Sequence, residues 1–188
     1  LAVALRDAIR DRPTLWFGWS GQQVADCADR PLGMDTVGHV TYATIALTHK
    51  EYNGFYQGYS NAVLWPLCHY RAGLMNYNRH DQQIYINVNT LFANRLAPLL
   101  ESDDMVWVHD YHLFPLGRIL RGLKVKARIG FSLHILFPPW SLTRPPPAAA
   151  ALMRALRALD VIGVLTDDAA RNMNEVSAVL GIPSRARA

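Results

Sequence analysis

Cysteine is almost missing from this chain: Cys27 and Cys68 are the two thiols in 188 residues. They build neither a disulfide framework nor the paired spacing of a zinc knuckle, so a reducing, cytoplasmic setting is the expectation. Long apolar runs are missing too, and nothing approaches the roughly 18 residues that cross a bilayer, so no membrane association is expected. The opening LAVALRDAIRDR is no signal peptide, because it is short, has no basic leader and is broken by Arg6 and Asp7. Blocks of one charge are absent. Nineteen Lys and Arg against fifteen Asp and Glu give +4, spread along the chain, a weak leaning toward small anionic ligands. Basic and aromatic residues do not interleave in a stripe, which argues against nucleic acid. There is no G-x-x-x-x-G-K-[ST], no G-x-G-x-x-G after a strand, no G-x-S-x-G, no cysteine beside a matching histidine motif and no D-x-D. P-loop, dinucleotide, α/β-hydrolase and cysteine-nucleophile chemistry are thereby set aside, and no cofactor is expected.

What is present is apolar: hydrophobic residues make up 51% of the chain, enough for a sizeable core in one domain spanning 1–188. TLWFGWS at 14–20 reads as a strand, 22–36 as a loop rich in Asp, Gly and Pro, and VGHVTYATIAL at 37–47 as a second strand. From Thr48 to Tyr70 large residues recur at helical spacing, but Gly54, Gly58 and Pro66 interrupt them, so the expectation is helical segments joined by bends. Residues 81–100 form an amphipathic helix with Ile84, Val88, Leu91, Phe92, Leu96 and Leu99 on one stripe.

The second half reads β-α-β-α-β-α: MVWVHD, a helix near Leu113 to Gly122, ARIGFSLH, an Ala-rich helix near 147–159 after the proline run at 144–151, VIGVLT, and a helix near 168–180. Short, nearly continuously apolar strands separated by helices predict an α/β fold, a parallel sheet covered on both faces. Ligands of such sheets bind outside the carboxyl ends of the strands, where this sequence puts His109 and Asp110, then His134, then Thr166 and Asp167. Asp110 and His134 are one strand-helix-strand unit apart, which sets them side by side at one sheet edge. Asp110 serves equally well as a helix N-cap, and His134 as an ordinary loop histidine. His109 and His112 form an H-x-x-H, but in an extended segment the two face apart and no third ligand is apparent, so no metal is expected.

Trp16, Trp19, Tyr52, Tyr56, Tyr59 and Trp65 crowd the first third of the chain. Large aromatics dominate burial in any core. Sugar rings also stack on aromatic faces, and a tyrosine hydroxyl can donate to phosphate. Composition does not choose between the two.

Four segments together carry a resemblance: WFGWSG at 16–21, YSNAVLWPLCHYR at 59–71, VWVHDYHLFPLGRILR at 106–121 and RIGFSLHILFPP at 128–139. In motif, order and spacing the chain resembles the trehalose-6-phosphate synthase family over about residues 1–176. The resemblance implies the N-terminal, Rossmann-like half of a GT-B glycosyltransferase, acting as a retaining hexosyltransferase that moves glucose from a nucleotide-glucose, usually UDP-glucose, to glucose 6-phosphate. It implies that Tyr56 contacts the acceptor phosphate, that Asp110 holds the acceptor sugar, that Trp65 and Trp19 shape the acceptor pocket, and that His134 stands beside the donor glucose. Asp110 and His134 would then carry catalysis by positioning and electrostatics, with no nucleophile. The alternative readings are a related glucosylglycerol-phosphate synthase, a pseudo-glycosyltransferase that uses the same scaffold with another acceptor, or a truncated, non-catalytic sugar-phosphate-binding module, and a homo-oligomer stays open.

The same resemblance implies parts this sequence does not carry: a first strand with a phosphate-contacting Arg and a Gly-Gly turn before Leu1, and a second domain whose Arg and Lys meet the donor diphosphate. Alone, then, the chain is expected to be inactive and to hold mainly the acceptor half-site. Leu136 stands where the family has Pro, so the backbone beside His134 is expected to be less rigid.

Overall fold

The structure is a computed structural model describing residues 5, 9, 12–25, 30–143, 155–181 and 186–188. Most of the opening helical reading, Cys27, the proline run and most of the Ala-rich helix lie outside the described residues. The chain divides into two compact units, Leu1–Tyr52 and Asn53–Ala188.

In the first unit β3 (Val40–Thr48) is central, parallel to β1 (Thr14–Val24) and antiparallel to β2 (Gly33–Val37). Ala43, Ile45 and Leu47 alternate along β3 and are fully buried, the period-2 pattern of a strand with one core face. The register of β1 on β3 slips between Trp19 and Gln23. Gly21 lies in that slip with φ +82, a conformation that glycine adopts without steric cost. β2 corrects the reading of 22–36 as loop throughout. All five of its residues are exposed, so no apolar alternation announces it, and its pairing comes from the hairpin turn at Gly38. The Glu51 carboxylate pairs with Arg30 and accepts the Thr48 backbone N–H at 2.8 Å and hydroxyl at 3.0 Å.

The second unit opens on a π-helix, Asn53–Leu64, followed by a helical turn at Trp65–Cys68 with Pro66 in its first positions. Gly54 and Gly58 are therefore not bends, as the sequence suggested, but points of close approach. A Cβ on Gly54 would lie 2.5 Å from Ile84 Cδ1, and one on Gly58 2.6 Å from Asp81 Oδ2. Both targets belong to α1 (Arg79–Leu96), whose first turn is capped by Asn78 accepting the His80 N–H at 2.8 Å. The buried face of α1 comprises Ile84, Tyr85, Val88, Asn89, Phe92, Ala93 and Leu96, while Leu91 and Leu99 stay half-buried.

β4 (Met105–His109), β5 (Arg128–Leu133), β6 (Val161–Val164) and β7 (Ala186–Arg187) form one parallel sheet in that order. α2 (Leu116–Gly122) links β4 to β5, and α3 (Asp167–Val179) follows β6, capped by Thr166 accepting the Ala169 N–H at 3.2 Å. The α/β class read from the sequence is what this unit has. Its burial is one-sided among the described residues: Val106, Val108, Ile129, Phe131, Leu133, Ile162 and Val164 are buried, while Met105 and Trp107 on the opposite face are exposed. No described helix is long and apolar enough to cross a membrane.

Candidate functional site

The expected neighbours at the carboxyl end of the sheet are in direct contact: the His134 backbone N–H donates to Asp110 Oδ1 at 3.1 Å. β4 and β5 run parallel in register, His109 opposite Ser132, and the Asp110 N–H extends the ladder by donating to the Ser132 carbonyl at 2.8 Å. Asp110 begins a 3-10 turn, Tyr111–Leu113, yet its side chain makes no capping bond. The Asp110 carboxylate therefore does not cap this turn but faces the end of β5. Asp110 has φ 68 and ψ 165, a region that belongs almost wholly to glycine. Holding a branched-off carboxylate there costs on the order of 1–3 kcal/mol, which the surrounding ladder and turn must offset.

The turn after Asp110 is fastened from two sides. Tyr85 on α1 donates its hydroxyl to the Tyr111 carbonyl at 2.7 Å, and Asn89 Nδ2 donates to the carbonyls of His112 and Tyr85 at 3.1 and 2.9 Å. From the π-helix, Asn61 Oδ1 accepts the Tyr111 hydroxyl at 3.0 Å. Tyr56, also on the π-helix, lies flat on the His112 ring, with centroids 5.2 Å apart and planes 13° apart. His109 turns the other way: its Nδ1 lies 3.0 Å from His134 Nε2. The two histidines of the H-x-x-H therefore serve different partners. No group of three potential metal ligands occurs among the described residues.

Burial sets the protonation of the site. His109 titrates below its usual 6.5 because of burial and then its His134 neighbour, with the Asp110 charge pulling back. Burial lowers His112 likewise, again opposed by Asp110. Cys68 is pushed up to about 12, first by burial and then by the Asp110 charge, which keeps it a thiol rather than a nucleophile. Tyr111 is raised by burial, with Asp110 adding to it. His112 Nε2 is buried without a hydrogen-bond partner among the described residues.

Of the other residues singled out, Trp65 is 41% exposed and stacks on His69 at 4.0 Å, available as an aromatic wall. Trp19 belongs to the first unit, where it packs 5.2 Å from Tyr52 and donates its indole N–H to the Gln22 carbonyl at 2.8 Å. Tyr59 is core: it is buried, packs on Tyr85 and accepts from Gln82 Nε2 at 3.3 Å. The loop after His134 has an anchor that sequence reasoning missed. The Phe137 carbonyl accepts the Tyr70 hydroxyl at 3.2 Å and Asn172 Nδ2 at 2.9 Å. That double tether fastens the backbone one residue after Leu136. Its partners lie 67 and 35 residues away, beyond any local pattern.

The model of glycosyltransferase family 20 matches residues 1–186. The trehalose-6-phosphate synthase of Sinorhizobium fredii is 44% identical over 168 residues, 89% of this chain and 36% of that protein. That of Sodalis glossinidius is 40% identical over 163 residues, 87% and 34% of the two chains. Among solved structures, an alpha,alpha-trehalose-phosphate synthase (UDP-forming) from Burkholderia xenovorans in complex with glucose-6-phosphate superposes with a TM-score of 0.89 at 42% identity, covering 94% of this chain and 39% of that one. An E. coli trehalose-6-phosphate structure bound with UDP-2-fluoro glucose gives 0.92 at 34% identity, covering 99% and 44%. The chain spans about a third of the length of the curated relatives it matches. By the match over nearly its whole length, the chain belongs to glycosyltransferase family 20.

Proposed function

We propose that this chain is the acceptor-side domain of a retaining glucosyltransferase that forms α,α-trehalose 6-phosphate from UDP-glucose and glucose 6-phosphate, completed by a nucleotide-sugar domain beyond these residues. The observation that carries the reading is the Asp110–His134 contact at the carboxyl end of the parallel sheet. The names of the relatives and the ligands of their structures point to the same substrates.

In this reading the Asp110 carboxylate, one oxygen held by the His134 N–H, accepts from acceptor sugar hydroxyls with the other. Tyr56, held flat by His112, meets the acceptor phosphate, and Trp65 bounds the sugar. His134 orients the donor glucose. The anomeric hydroxyl of the acceptor bonds to donor C1 as the bond from C1 to the diphosphate oxygen breaks on the same face, and the hydroxyl proton leaves with the diphosphate. This chain contributes orientation and fixed charge beside an oxocarbenium-like centre, effects that together supply much of the barrier lowering in such transfers. The setting is cytoplasmic.

Steady-state kinetics of the full-length enzyme test the proposal. Turnover with glucose 6-phosphate and none with glycerol 3-phosphate is expected, with kcat/KM falling about a hundredfold in Asp110→Ala. Preference for glycerol 3-phosphate would move the chain to the glucosylglycerol-phosphate synthases, and an unchanged rate in Asp110→Ala would remove Asp110 from the site.

A further inference from the structure

His109 has no place in the mechanism above, yet its geometry is specific. His109 Nδ1 and His134 Nε2 are 3.0 Å apart, the ring planes differ by 17°, and the centroids are 5.3 Å apart. An imidazole nitrogen sits about 1.1 Å from its ring centre, so a straight N–H···N bond of this length puts the centres about 5.2 Å apart. The rings therefore lie edge to edge in nearly one plane, the arrangement of a hydrogen bond rather than of face stacking. Such a bond needs one nitrogen bearing hydrogen and one bare nitrogen, so the tautomers of the two rings are coupled.

The support behind His109 is also built. His109 ends β4 on the face that carries Trp107, whose ring packs 4.6 Å from it. Trp107 is tied to β5 by its indole N–H donating to Ser132 Oγ at 2.8 Å. His134 is thus held twice by consecutive residues of one strand end: at its backbone by Asp110 and at its ring by His109.

We propose that His109 is a positioning residue that locks the His134 ring through Nε2, so that His134 offers its ligand Nδ1 in a single tautomer. A ring locked in this way is either donor or acceptor to a sugar hydroxyl, and its plane is set before the donor arrives. The lock itself stands independently of the transferase reading; only the identity of the ligand rests on that reading.

Ring nitrogen-15 spectra of the 188-residue chain near pH 8 test the lock directly. In the wild type the two His134 nitrogens are expected at separate positions, one protonated and one bare. In His109→Phe, which keeps the ring but removes its nitrogens, they are expected to move toward each other as the tautomers average. His109→Asn, whose amide lies near the former Nδ1, is expected to restore the separation. Dispersed amide spectra check folding of each variant, and a His134 pattern unchanged in both overturns the proposal. In the full-length enzyme, His109→Phe is expected to raise the UDP-glucose KM about 3- to 10-fold, the worth of one neutral hydrogen bond, with the glucose 6-phosphate KM unchanged and Asn restoring the donor KM. Equal changes in both KM values, or no change, overturn it. A wild-type enzyme without transferase activity would refute the proposed function while the spectra still decide the role of His109.

Discussion

Replacing Asp110 by alanine and by glycine separates what the carboxylate contributes from what the backbone costs. Both variants lose the bond to the His134 N–H, but only glycine is at ease at φ 68 and ψ 165. A hydrogen bond to a charged acceptor contributes about 1.5–3 kcal/mol, so Asp110→Ala is expected to unfold about 2 kcal/mol more easily than the wild type. Glycine removes a strain on the order of 1–3 kcal/mol and gives back about 0.5–1 kcal/mol through greater freedom of the unfolded chain. Asp110→Gly should therefore be more stable than Asp110→Ala by about 1 kcal/mol, or ~2–4 °C for a chain of this size. Urea unfolding followed by tryptophan fluorescence reads the difference. A glycine variant no more stable than the alanine variant would refute the strain argument, and with it the idea that stability at Asp110 is given up for placement of the carboxylate.

Gly54→Ala is expected to cost about 1–3 kcal/mol, because the new Cβ meets Ile84 at several atoms, whereas Gly73→Ala, with nothing within 4 Å, should be neutral in the same unfolding assay. His109 and His112 both titrate below 6.5 in the folded chain, so between those lowered values and 6.5 the unfolded chain binds more protons. Stability should be full above pH 6.5 and fall on acidification below it, and urea midpoints measured from pH 8 to pH 5 should fall less steeply in His112→Phe than in the wild type. Removing both tethers of the Phe137 carbonyl, with Tyr70→Phe and Asn172→Ala, should cost about 1–3 kcal/mol and speed amide exchange at residues 135–137.

The strands of the second unit were legible because β4, β5 and β6 are short apolar runs set between helices, and strand-end logic then brought Asp110 to His134. The rest of the site depends on contacts that leave no local signature. Asn89 looks like a polar intrusion in the α1 stripe until its amide is seen on the carbonyls of Tyr85 and His112. Gly54 and Gly58 read as helix breakers, although their purpose is to admit the side chains of Ile84 and Asp81. β2 carries no apolar alternation and exists through its partner strand. His109 stands at the same strand end as Asp110, but neither that place nor its spacing from His112 reveals the ring contact with His134 across the sheet. The positive φ at Asp110 was not legible at all, since aspartate at a strand end suggests a cap first.

Calorimetric titration of the 188-residue chain, wild type and Asp110→Ala, with glucose 6-phosphate and separately with UDP-glucose tests the central claim most directly. Saturable heat with glucose 6-phosphate that disappears in Asp110→Ala, and far weaker heat with UDP-glucose, is the predicted result. Tighter binding of UDP-glucose, or binding of glucose 6-phosphate that Asp110→Ala leaves intact, would contradict it.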